Sequence, residues 1–202
     1  MPHTIKISEL EQDLLTELFN VGVGNAASSL STMVKQEIQL SVPKIEFISI
    51  TELSNKLGKN KSICSVSQHM SGPFSAQSML IFPEDNSLEI VRELLGTDLP
   101  NDSILELQKE AFSEIGNIVL NACIGSLSNA INQEFSVDLP IFELGRPGEI
   151  LKSSQNKDDN ALFIRIELTL SDSMITGYMA FLMGALSLEQ LKSVLEEMIS
   201  NL

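Results

Sequence analysis

The chain has 202 residues, of which 43% are hydrophobic and 20% charged, and its formal net charge is −14. That length suits one domain near the upper end of the single-core range or two small fused units, and so apolar a chain is not a disordered one. The acidity excludes a nucleic-acid or anionic-membrane surface, because either needs a basic stripe to displace counterions or meet acidic lipid.

No apolar run reaches the ~18 residues of a membrane helix. Met1 to Leu10 lacks the basic-then-apolar layout of a secretion signal, so a cytoplasmic protein is expected. Cys64 and Cys123 are too few and too far apart for a disulfide framework or a zinc site, and read as reduced, buried apolar residues. His3 and His69 are isolated, which leaves no metal centre and no histidine base. Lys56, Lys59 and Lys61 gather in a short stretch that reads as a solvated turn.

The first element is a helix. Ser8 followed by Glu11 is a capping-box pattern and predicts a long helix over about residues 8–36. Within it Asp13, Glu17 and Asn20 are spaced by four and then three residues, which at about 100° per residue puts them inside a ~60° arc. Leu10, Leu14, Leu18 and Val21 mark a neighbouring apolar stripe expected to face a sheet. Gly22 and Gly24 each cost about 1 kcal/mol relative to Ala in a helix interior. They imply a close approach, either of the helix to the sheet or of a partner's backbone.

After Pro43, Lys44 to Ile50 reads as a strand, and Ser54 to Lys61 as a turn bent at Gly58. Ser62 to Met70 and Phe74 to Phe82 follow as strands, and Ser87 opens a closing helix. The same order then recurs. An offset of 97 places Leu10 on Leu107, Glu17 on Glu114, Asn20 on Asn117, Ser29-Leu30-Ser31 on Ser126-Leu127-Ser128, and Pro43 on Pro140.

In the second half Ser103 and Glu106 repeat the capping box of a helix over about residues 103–133, which carries Glu110, Glu114 and Asn117 and contains Gly116 and Gly125. Pro140 introduces a strand from Ile141 to Leu144, and Lys152 to Asn160 is a polar loop. Leu162 to Leu170 alternates at period two, Met174 to Met183 is the next strand, and Ser187 opens a helix with Leu188, Leu191, Val194, Leu195 and Met198 at helical spacing. An offset of 100 here aligns Met79 with Met179 and Ser87-Leu88-Glu89 with Ser187-Leu188-Glu189, which assigns three extra residues to the polar loop.

The expected fold is α+β: one domain over residues 1–202 made of two repeats, about 8–96 and 103–200, each helix, three strands, helix. Short connections favour hairpins, so the two pseudo-two-fold halves are expected to share one antiparallel sheet. A single acidic helix face is most simply a solvated complement to the helix dipole. Its duplication, with the Asn and the distant Pro in register, favours function.

At these residues the chain resembles the CheC/CheX/FliY family of chemotaxis phosphatases, whose pattern is Asp or Ser, three residues, Glu, two residues, Asn, twenty-two residues, Pro. Asp13, Glu17, Asn20 and Pro43 match it, and so do Glu110, Glu114, Asn117 and Pro140, with Glu110 departing from the usual Asp or Ser. The flanks NVGVGNAASSLSTM and NIVLNACIGSLSNA look like the family too, and two complete sites look most like its CheC branch.

The resemblance implies a hydrolase acting on the aspartyl phosphate of a CheY-like response regulator in two-component signalling. That regulator would supply its own divalent metal (Mg) and lysine, so no cofactor is expected here. Glu17 and Glu114 would dock to the regulator, and Asn20 and Asn117 would hold the attacking water in line. Asp13, Glu110, Pro43 and Pro140 would support the helix or the partner contact. A rival implication is a non-catalytic module that binds the regulator or a CheD-type deamidase; binding-only relatives tend to lose the Glu/Asn pair, which is complete here twice.

Overall fold

The computed structural model describes residues 7–95, 104–153, 160–170 and 173–201. Ser103, the expected cap of the second long helix, and residues 154–159 of the polar loop lie outside them.

Helix α1 spans Glu9–Val34 and opens on the expected capping box, in which Ser8 and Glu11 exchange side-chain to backbone hydrogen bonds. It stops at Lys35, which is in the left-handed conformation. Its counterpart α4 spans Ile104–Ile131. The strands are β1 (Ile38–Ser49), β2 (Ile63–Ser71), β3 (Ala76–Pro83), β4 (Ser136–Val137), β5 (Ile141–Gly145), β6 (Asn160–Leu170) and β7 (Ser173–Met183).

These strands form one antiparallel sheet in the order β1-β6-β7-β3-β2, with β4 and β5 both pairing along the outer side of β2. The expected hairpins occur at β2/β3 and β6/β7. The first strand of each half does not join its own hairpin: β1 pairs with β6, and β5 pairs with β2. The halves are therefore interleaved. The reason is a short helix that sequence reading assigned to strand end and turn, α2 (Ile50–Lys56), matched in the second half by α5 (Pro147–Ile150). Leu53 and Leu57 of the α2 segment, with Ile150 and Leu151, are buried on one face of the sheet against Ile63, Met79, Ile81, Phe163 and Leu182. Burying them carries the chain away from the strand it has just left. Gly58 does form the expected bend, at φ +85°.

Helices α1 and α4 lie side by side on the opposite face, over a core that includes Leu15, Phe19, Val23, Ala26, Leu30, Phe112, Ile115, Val119 and Cys123. The expected apolar stripe of α1 is thus displaced around the helix: Leu10 and Val21 are more than half exposed, and Leu14 and Leu18 only border the core. The core faces also correct the offset assigned to the strands. Leu80 and Met179 lie on the helix-covered face whereas Met79 lies on the other, so Met79 and Met179 are not equivalent. The closing helices α3 (Glu84–Leu95) and α6 (Ala185–Ser200) begin before Ser87 and Ser187, which sit inside their first turns.

Both cysteines are buried free thiols that burial pushes up to about 12, so neither supplies a thiolate at neutral pH. Among the described residues no helix is long and apolar enough to cross a membrane.

The helix glycines divide by what surrounds them. A Cβ on Gly22 would lie 2.7 Å from the Cys123 Cα of α4, and one on Gly116 2.4 Å from Val66 of β2, whereas nothing stands within 4 Å of one on Gly24 or Gly125. Only the first pair is required by internal packing. Gly22→Ala is expected to destabilise the fold by about 1–3 kcal/mol, because two helix backbones must separate. Gly24→Ala is expected to stabilise it by about 0.5–1 kcal/mol through helix propensity. Urea unfolding midpoints that move in the same direction for both would contradict this packing.

Candidate active site

The predicted stripe on α1 is outward-facing. Asp13, Glu17 and Asn20 are all exposed, and neither Asp13 nor Glu17 has an ion pair or side-chain hydrogen bond among the described residues. At about 100° per residue, Asn20, Asp13, Gly24, Glu17, Leu10 and Val21 follow one another around the helix. The exposed Leu10 and Val21 border the carboxylates, and the uncrowded Gly24 lies among them. On α4 the corresponding series is Asn117, Glu110, Asn121, Glu114, Leu107 and Ile118. Glu110, Asn121 and Glu114 are exposed and the rest half-buried. Among the described residues no group of three or more His, Cys, Asp or Glu could hold a metal.

Pro43 lies inside β1, not before it. Ile38, Leu40 and Val42 alternate with polar residues, and so do Ile45 and Phe47, but the register with β6 shifts between Ser41 and Lys44. Pro43 has no N–H to give the ladder, so the break falls where a ladder bond is already missing. Asn20 bridges it. Its Oδ1 accepts from the Val42 N–H at 3.0 Å, and its Nδ2 donates to the Val42 carbonyl at 3.3 Å and to the Thr16 carbonyl at 2.9 Å. The side chain proposed to work on a partner thus also stands in for a missing strand neighbour.

The second half has the same break and a different bridge. Pro140 sits in the gap between β4 and β5, and the Asp138 N–H there donates to the His69 carbonyl at 2.9 Å. Gln68 of β2 donates through Nε2 to the Asp138 carbonyl at 3.3 Å and to Asn117 Oδ1 at 3.2 Å. Asn121 donates to the same Oδ1 at 2.7 Å. The Asn117 amide nitrogen has no protein acceptor among the described residues.

Sequence reading missed Val42, Gln68 and Asn121. Asn121 was visible as an amide one turn after Asn117. Gln68 gave no signal, because its meaning depends on β2 lying beneath α4.

The bridges make the two asparagines unequal in stability. Asn20→Ala orphans the N–H and carbonyl of Val42, which is 3% exposed, and is expected to cost about 1–3 kcal/mol. Asn117→Ala leaves the buried backbone paired and is expected to cost less than about 1 kcal/mol. Equal shifts of the urea midpoint in the two variants would contradict the bridging role of Asn20.

The family profile described as CheC-like family matches residues 10–46, which contain Glu17, Asn20 and Pro43. The chain is 25% identical over 152 residues to the CheY-P phosphatase CheC of Bacillus subtilis, covering 72% of this chain and 71% of that protein. It is 21% identical over 172 residues to the flagellar motor switch phosphatase FliY of the same organism, covering 84% of this chain and 45% of FliY. Among solved structures, Thermotoga maritima FliY superposes with a TM-score of 0.76 at 15% identity, over 96% of this chain and 100% of that one. A chain of the CheX-CheY-BeF3-Mg+2 complex from Borrelia burgdorferi superposes at 0.52 and 21% identity, over 83% of this chain and 97% of that one. At such identities the two structural matches speak to the fold.

Proposed function

We propose that this chain, a member of the CheC/CheX/FliY family, is a phosphatase that hydrolyses the aspartyl phosphate of a CheY-like response regulator. The observation that carries the reading is the pair of outward-facing Glu-x-x-Asn stripes, each with an unpaired carboxylate one turn from a carboxamide. The names of the Bacillus relatives and the CheX-CheY complex support the substrate and partner.

The division of labour follows from what the residues can do. A carboxamide is a poor proton acceptor but a good positioner: Asn20, whose Nδ2 donates to Thr16 and Val42, keeps a second lone pair on Oδ1 for a water molecule, and Asn117, whose Oδ1 takes two donors, keeps its Nδ2 hydrogens without a protein acceptor among the described residues. Phosphoryl transfer has a loose transition state in which alignment and charge neutralisation supply most of the acceleration. Asn20 and Asn117 therefore orient the attacking water. Glu17 and Glu114 dock each helix through a charge-assisted contact to a lysine of the regulator. Magnesium belongs to the regulator's side of the complex in this reading. Exposed Leu10 and Val21 supply apolar contact beside the first stripe, and Gly24 lets a partner backbone approach it. Since a net charge of −14 cannot steer an acidic partner, affinity rests on these short-range contacts.

The test is the decay of the phosphorylated regulator in magnesium. The wild-type chain is expected to accelerate it, Asn20→Ala and Asn117→Ala each to lower the rate, and the double variant to abolish the acceleration. Glu17→Ala serves as the first-site control, because it removes no structural hydrogen bond. An undiminished rate in a folded double variant would overturn the role given to the two asparagines, whereas a wild-type chain that binds the regulator without accelerating its decay would support the rival reading of a non-catalytic binding module.

A further inference from the structure

The two halves differ at one buried position beneath their asparagines. Ser67 of β2 pairs with Ile141, and Arg165 of β6 pairs with Lys44. Ile141 and Lys44 are themselves 97 residues apart, so the next residues along, Gln68 and Ile166, occupy corresponding places. Ile166 is fully buried in the core beneath the helices, as the environment demands. Gln68 is 2% exposed, and its Oε1 is buried without a hydrogen-bond partner. A buried carboxamide with one end unsatisfied is costly, whereas an apolar residue there is not. Something must favour the amide at this position in the second half alone.

Its nitrogen identifies the gain. We propose that Gln68, assisted by Asn121, is a positioning residue for Asn117. Two N–H donors, from below at 3.2 Å and from the next helical turn at 2.7 Å, converge on Asn117 Oδ1. Because the carboxamide is planar, pinning Oδ1 also fixes Nδ2, which bonds to no acceptor among the described residues and is left for an incoming water or phosphoryl oxygen. Holding a group in its working orientation before the partner arrives removes that ordering cost from the reaction step. In the first half Ile166 offers no donor, and Asn20 is instead held by the Val42 backbone.

This inference rests on the reading that Asn117 orients the attacking water, and the test separates the two. Kinetics are measured in a Glu17→Ala background, which silences the first site without loosening β1, and the Asn117 side-chain amide is followed by 15N NMR, assigned through its loss in Asn117→Asp. Gln68→Met is expected to shift the Asn117 amide resonances and to lower kcat about tenfold. KM should change less than about twofold, because Glu114 still docks. Asn121→Ala, an exposed change that cannot unfold the chain, should do the same to a smaller degree and stands as the test if Gln68→Met does not fold. Unmoved Asn117 resonances overturn the proposal, and so do moved resonances with an unchanged kcat. A wild-type chain without phosphatase activity sinks the earlier reading instead, and the resonances alone then decide whether Gln68 orients Asn117.

Discussion

Pro43 brings no N–H to the ladder, and Val42 beside it has lost its register with β6, so a buried amide and carbonyl of β1 need partners from outside the sheet. Asn20 supplies both from the helix above. That interaction ties α1 to β1 at one point, and it accounts for a separation that is otherwise arbitrary. The twenty-two residues between the asparagine and the proline are the length of chain needed to finish the helix, turn at Lys35 and return along β1 to pass beneath Asn20. The spacing is a geometric record of the contact.

The same break recurs at Pro140, where the helix, the strand gap and the asparagine are retained but the bridge is built by Gln68. Interleaving makes this possible. Because β5 pairs with β2, Asn117 is held by Gln68 of the other half, whereas Asn20 is held by Val42 of its own, and a substitution at Gln68 alters only one site. A duplicated fold can thereby hold one side chain by its backbone neighbours and the other by amide groups without changing its architecture. The close packing of α1 on α4 at Gly22 and Cys123 couples the two helices mechanically while leaving their outer faces separate.

Much of this was legible before any coordinates. The capping box at Ser8 and Glu11, the bend at Gly58, the paired long helices and the period-two run from Leu162 to Leu170 each follow from local physics, and each element forms where expected. The exposed Asp13, Glu17 and Asn20 stripe follows from helical periodicity alone. What failed depended on contacts distant in sequence. Leu10 and Val21 read as core because hydrophobicity was counted without knowing that Phe19 and Val23 face the sheet and α4. The exchange of β1 and β5 between halves was hidden behind α2, although Ser49 and Glu52 repeat the Ser-x-x-Glu pattern that was recognised at Ser8. Pro43 was read as a strand boundary because a proline in a strand is rare, and here a bulge with a side-chain surrogate makes it tolerable. Gln68 could not be found at all, since only the folded sheet brings it to Asn117.

The central claim is that the outward stripes of α1 and α4 are the surfaces that meet the regulator. It is tested most directly by titrating 15N-labelled chain with a beryllofluoride-activated CheY-like regulator in magnesium and mapping the amides that shift. The account predicts perturbations at Asp13 to Gly24 and at Glu110 to Asn121, lost on combining Glu17→Ala with Glu114→Ala. Perturbations confined to the opposite face of the sheet, around α2 and α5, would contradict it.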